Sequence, residues 1–173
     1  MKLLKRQMDQ LDSGSKKSTP RTCSDIYVKN SAAVSDQYFV DPNGGSESDA
    51  IEVYCNFDSE EVQTCVQPYN ASQSPLEYVQ NAVDSSQMGY LQVNYRYATQ
   101  VVNFDCADGR PEVTLTADSD FTFGVSHRDV TVISDTCSEG GELVLEVTSR
   151  SANMPINEVD EGNFEMEPVC FFA

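Results

Sequence analysis

Tryptophan is absent from the 173 residues, histidine occurs once, and 11 lysines and arginines face 28 aspartates and glutamates. Each shortage closes off a class of function. A formal net charge of -17 argues against nucleic acid and anionic membranes as partners, because both are held through basic side chains. No apolar run approaches the roughly 20 residues of a spanning helix, so no membrane crossing is expected. His127, the single histidine, lies between Ser126 and Arg128 and reads as a loop or surface residue. With no Gly-x-Ser-x-Gly elbow and no glycine-rich phosphate loop, it has no nucleophile or anion cradle to serve. The acid pairs Glu60/Glu61 and Asp118/Asp120 read as solvated surface rather than as a glycosidase pair. No enzyme is expected. Residues 1–21 are charged and lack an apolar core, so no signal peptide is read there, and a secreted protein with this sequence is expected to be a piece of a longer one.

What is present points outward from the cell. Six cysteines, an even number, suit an oxidising, secreted context. None falls in a Cys-x-x-Cys pair, which disfavours zinc. The length suits one domain of ordinary size with a short appendage, and 39% hydrophobic residues give it an adequate core. Many short alternating segments separated by turn residues predict an α+β domain that is mainly β.

The stretch Phe39–Cys55 organises the rest. Asp41, Asn43 and Asp49 bring three side-chain oxygens into nine residues, and Gly44 and Gly45 let the backbone turn so that carbonyls face one point. Hard cations such as calcium take about 6–8 oxygen ligands of these kinds. The competing reading is an Asp-Pro-Asn-Gly turn with solvated carboxylates. The spacing is not that of an EF-hand loop. Ala50–Cys55 follows at once and alternates like a half-buried strand.

Along the chain, residues 1–12 place Met1, Leu4, Met8 and Leu11 at heptad spacing, which reads as a coiled-coil seam or, alone in water, as a frayed helix or expression remnant. Residues 13–22 are a Ser/Lys-rich linker. Asp25–Tyr38 shows little periodicity, with a turn over 31–35. Asn56–Pro75 reads as loop and contains the N-glycosylation sequon at Asn70. Pro75–Val83 is expected as a short helix, with Leu76, Val79 and Val83 on one face. Gly89–Tyr97 is expected as a strand, because Leu91, Val93, Tyr95 and Tyr97 alternate with polar residues. Strands are also expected over Val101–Cys106, Val113–Thr116, Phe121–Val125, Val130–Ile133 and Glu142–Thr148. The region from Asn153 reads as an acidic tail until Pro168.

The segments Thr22–Ile26, Asp41–Gly45, Asp49–Asn56, Gln63–Val66 and the closing Glu167–Phe172 together resemble the C-terminal propeptide of fibrillar collagens. The resemblance covers nearly everything after Thr22, except that a long tryptophan-containing segment is missing between Cys65 and Gln87. It implies a trimeric assembly: a coiled-coil stalk (1–12), a linker (13–22) and a disulfide-stapled domain (23–173) related to fibrinogen-like domains. It pairs Cys23 with Cys55, Cys65 with Cys170, and Cys106 with Cys137. It assigns calcium to the side chains of Asp41, Asn43 and Asp49 and to backbone carbonyls of Gly44 and Ser46. The two family cysteines that link neighbouring chains fall on Lys29 and Ser46. A homotrimer without interchain disulfides is therefore expected, with chain selection altered by the missing segment. The implied function is to nucleate and register a collagen triple helix. Such a domain would assemble in the endoplasmic reticulum, be secreted into the extracellular matrix, and be released by a procollagen-processing protease acting upstream. The alternative resemblance is to a fibrinogen-like carbohydrate or protein recognition domain, which also opens with a Cys-Ser-Asp-Ile-Tyr and carries a strand ending Val-Tyr-Cys.

Overall fold

Alternation of apolar and polar residues builds the centre of the molecule. In the computed structural model, which describes residues 20–44, 50–78, 82–117, 120–160 and 163–173, Tyr97–Asp105 (β4) pairs antiparallel with Glu142–Arg150 (β8), from Tyr97 opposite Arg150 to Asp105 opposite Glu142. One face of the pair carries Ala98, Gln100, Val102 and Phe104 against Leu143, Leu145, Val147 and Ser149, all buried. A period of two leaves the other face to solvent.

The remaining strands extend this pair. Asp36–Val40 (β1), Ile51–Asn56 (β2), Gln63–Val66 (β3), Val130–Asp135 (β7) and Val169–Phe172 (β11) complete the order β1-β2-β3-β11-β4-β8-β7, while Asn163–Met166 (β10) also pairs with β4. Thr114–Ala117 (β5), Thr122–Gly124 (β6) and Ile156–Val159 (β9) form a second sheet in the order β6-β5-β9. The mainly β expectation holds. Among the described residues two α-helices accompany the sheets, Cys23–Lys29 (α1) and Ala82–Asn94 (α2). Among the described residues no helix is long and apolar enough to cross a membrane. The stalk residues Met1, Leu4, Met8 and Leu11 lie outside the described residues.

Two expectations are corrected. Gly89–Tyr97 is not a strand: α2 runs through Asn94, and β4 begins only at Tyr97. Met88, Leu91 and Tyr95 are buried, a spacing of three and four that lays them on one helical face. Val93, which a strand would have placed beside Leu91, is 80% exposed. The helix expected over Pro75–Val83 also lies further along. Leu76 and Tyr78 are both buried on non-helical backbone, with the Leu76 N–H donating to the Asn157 carbonyl at 2.6 Å.

Three regions read as irregular hold regular structure. α1 lies in the aperiodic segment after Thr22, β3 in the supposed loop 56–75, and β9 and β10 in the supposed acidic tail. Each is seven residues or fewer and without a clear apolar period of its own.

Candidate metal centre

The loop that begins at Asp41 joins β1 to β2, whose ladder closes with Val40 opposite Ile51. At its start the Gly44 N–H donates to the Asp41 carbonyl at 2.9 Å, closing a four-residue turn with Pro42 at its second position, where a fixed φ is favoured. Gly44 has φ +69°, and a Cβ there would come 2.8 Å from Nη2 of Arg21. Glycine is thus required twice over, by backbone hand and by the guanidinium lying on it. The Asp41 N–H donates to the Pro20 carbonyl at 2.8 Å, and the Arg21 N–H donates to Asp25 Oδ2 at 3.0 Å. The chain entering from the linker is therefore seated directly against this loop.

Asp41 is 1% exposed, and a carboxylate so buried needs compensating donors or positive charge. Part of that compensation comes from α2: Gln87 Nε2 donates to Asp41 Oδ1 at 2.9 Å, and the Asn43 N–H donates to Gln87 Oε1 at 2.9 Å. Gln87 itself is 0% exposed. The described donors, a carboxylate, an amide oxygen and carbonyls, are all hard oxygens of the kind calcium takes. Among the described residues no group of three or more His, Cys, Asp or Glu is placed to share a metal. Asp49 and Ser46, the other expected ligands, lie outside the described residues. Asp41, Asn43 and Gly44 are brought together. Gln87, far along the chain, had no signal in the sequence that tied it to them.

Beneath the loop, Cys23 on α1 is bonded to Cys55 on β2. The Cys23 N–H donates to Thr64 Oγ1 at 3.1 Å, and the Thr64 hydroxyl is 2.8 Å from the Tyr95 hydroxyl. Helix, strand and the end of α2 thus meet at one polar knot inside the core. The other disulfides join Cys65 to Cys170 and Cys106 to Cys137, so all six cysteines are used within the chain. Asn70 sits at the mouth of a loop that its side chain closes: Nδ2 donates to the Pro75 carbonyl at 2.8 Å, and Oδ1 accepts from the Glu77 N–H at 2.7 Å. His127 is packed edge-on against the rings of Phe121 and Phe123, with Nδ1 accepting from the Asp129 N–H at 3.0 Å. It belongs to a turn, where its backbone N–H donates to the Gly124 carbonyl at 3.0 Å.

Residues 1–79 match the family model of the fibrillar collagen C-terminal domain. Collagen EMF1-alpha of Ephydatia muelleri is 23% identical over 188 residues, spanning 92% of this chain and 34% of that protein. The collagen alpha-1(I) chain of Gallus gallus is 27% identical over 209 residues, 90% of this chain and 14% of its own length. The collagen alpha-2(I) chain of Rattus norvegicus is 40% identical over 72 residues, 40% of this chain and 5% of its own. This chain therefore spans about a third, or much less, of the length of these relatives.

Proposed function

We propose, from the match of residues 1–79 to the fibrillar collagen C-terminal domain and from the similarity of nine-tenths of the chain to collagens, that it is an extracellular trimerisation domain that aligns three collagen strands. A structural, non-enzymatic role fits this kinship. Three free chains meet rarely, and a triple helix begun out of register is useless. A domain that trimerises first turns strand association into an intramolecular event at high effective concentration, after which the Gly-X-Y strands wind together.

The observation that carries the reading is the seat of the linker on the ion loop, where Pro20 and Arg21 lie against Asp41 and Gly44. Whatever orders that loop also orders the chain at Pro20 and Arg21. Asp41, Asn43 and Gly44, with Asp49 and Ser46, would hold calcium there, and the ion would supply positive charge to an acidic assembly. In a homotrimer the net charge of -17 per chain is tripled, so such compensation near subunit contacts matters. Exposed apolar side chains also lie on the elements that follow the linker: Val28 is 84% and Val34 63% exposed. With every cysteine bonded inside the chain, assembly would be non-covalent. Release from the collagen by a procollagen-processing protease would occur upstream of this segment.

Light scattering at micromolar chain concentration tests the proposal. In millimolar calcium the expected mass is three times the 19.1 kDa of one chain, falling on chelation. A mass of one chain in calcium sinks the trimer. A trimer unchanged by chelator leaves assembly standing and removes calcium from it.

A further inference from the structure

Gln87 is an unusual choice for its position. It lies on α2 beside buried Met88 and one turn before buried Leu91, and its own side chain is wholly buried. A methionine of similar length would fill the same space, carries no amide to satisfy, and favours helix equally. Among the described residues the amide meets Asp41 and Asn43. Its Nε2 donates to Asp41 Oδ1 and its Oε1 accepts from the Asn43 N–H, each at 2.9 Å and across sequence separations of 46 and 44 residues. One planar group thus grips the side chain of the first expected ligand and the backbone of the second. A hydrogen bond to a buried carboxylate is of the strong, charge-assisted kind, and it fixes the plane in which that carboxylate lies.

We propose that Gln87 is the positioning residue of the cation site: it holds Asp41 and Asn43 in place before an ion arrives, so that binding does not have to order the loop. The inference rests on the metal reading of the proposed function, and its geometry involves Asp41 and Asn43 alone. It also gives that site a path into the body of the domain. α2 is tied onward by Gln92 Nε2, which donates to the Met154 carbonyl at 2.5 Å, and by the Gln92 carbonyl, which accepts from Ser151 Oγ at 2.8 Å. Residues that orient metal ligands in this way change affinity by about 10–100-fold when removed.

Calorimetric titration of calcium into the full chain, as wild type, Gln87→Met and Gln100→Met, tests the inference. Gln100 is another buried amide, but it serves Tyr78, the Glu167 carbonyl and the Ile156 N–H, away from the loop. Gln87→Met should weaken calcium at least tenfold and, without any metal, speed hydrogen exchange at the Asn43 amide. Gln100→Met should lower the melting temperature and leave calcium affinity unchanged. Gln87→Asn keeps an amide too short to reach both partners and should match Gln87→Met, which keeps the test available if the methionine variant does not fold. Equal calcium affinity in wild type and Gln87 variants overturns the inference alone, as does an equal loss in Gln100→Met. A wild-type chain that takes up no calcium overturns the metal reading, and this inference with it.

Discussion

Cys170 stands directly opposite Cys65 in the ladder between β3 and β11 and is bonded to it, across a sequence separation of 105 residues. β11 lies between β3 and β4 in the large sheet, so the end of the chain is the seam joining the β1-β2-β3 unit to the β4-β8-β7 unit. By the chain-entropy argument a closed loop of this length is worth about 5 kcal/mol, against about 3.5–4 kcal/mol for one the size of the Cys23–Cys55 loop. Replacing Cys65 and Cys170 by serine should therefore lower the urea midpoint more than replacing Cys23 and Cys55. The reverse order would mean that β11 is held by its backbone ladder and packing, with the covalent bond secondary.

The resemblance to collagen propeptides would put the cysteines that join neighbouring chains at Lys29 and Ser46, and the six cysteines present are paired within the chain. No free cysteine is left to form a disulfide with a second chain. Purified protein denatured without reductant should run on a gel as a single chain, and as a more extended single chain once reduced. A trimer-sized band that disappears with reductant would show that at least one of these intrachain bonds is exchanged in the assembly.

Strands were legible where apolar and polar residues visibly alternate, as in β2, β8 and the shorter β5 and β6, because burial on one face forces that pattern. Elements that draw their order from distant partners were not. β3 is four residues long and is held by β2 and β11 on its two sides, and β10 exists as a ladder against β4. At the loop, Asp41, Asn43 and Gly44 announced themselves by composition, since few residue types offer oxygen and a left-handed turn together. Gln87 did not, because a glutamine in a helix looks like a surface residue until the partners it reaches are known. The misread strand over 89–97 has a related cause: Leu91 and Tyr95 satisfy both a period of two and a spacing of four.

That ambiguity is resolved by mutation. Leu91 is fully buried, while Val93 is 80% exposed, although a strand would have put both on one face. Leu91→Ala should cost about 2–5 kcal/mol through lost burial and the cavity left behind. Val93→Ala should fall within about 0.5 kcal/mol of wild type, as for surface positions generally, helped by the higher helix propensity of alanine. Denaturant titration of the two variants measures both. Comparable losses at the two sites would return the segment to a β conformation.

Tyr78 sets a limit at alkaline pH. Its hydroxyl donates to the Ile156 carbonyl at 2.5 Å and accepts from Gln100 Nε2 at 2.6 Å. Burial pushes its ionisation far above the ordinary tyrosine value, with the hydrogen bond from Gln100 acting weakly in the opposite direction. A folded-state value above the unfolded one means that the stability it contributes is complete below about pH 10. Above that point the unfolded chain loses its proton first, so the native state is disfavoured by about 1.4 kcal/mol per pH unit until the folded phenol ionises in turn. Tyr38, also raised, to about 12 by burial and by the charge of Asp36, adds to the decline in the same direction. Urea midpoints should therefore be level through neutral pH and fall between pH 10 and 11. Tyr78→Phe should start lower, by about 1 kcal/mol for each hydrogen bond lost, yet fall less steeply, so that the two curves converge as pH rises. Parallel curves would mean that Tyr78 ionises as readily in the native chain as in the unfolded one, and that the Gln100–Tyr78–Ile156 chain is open to water.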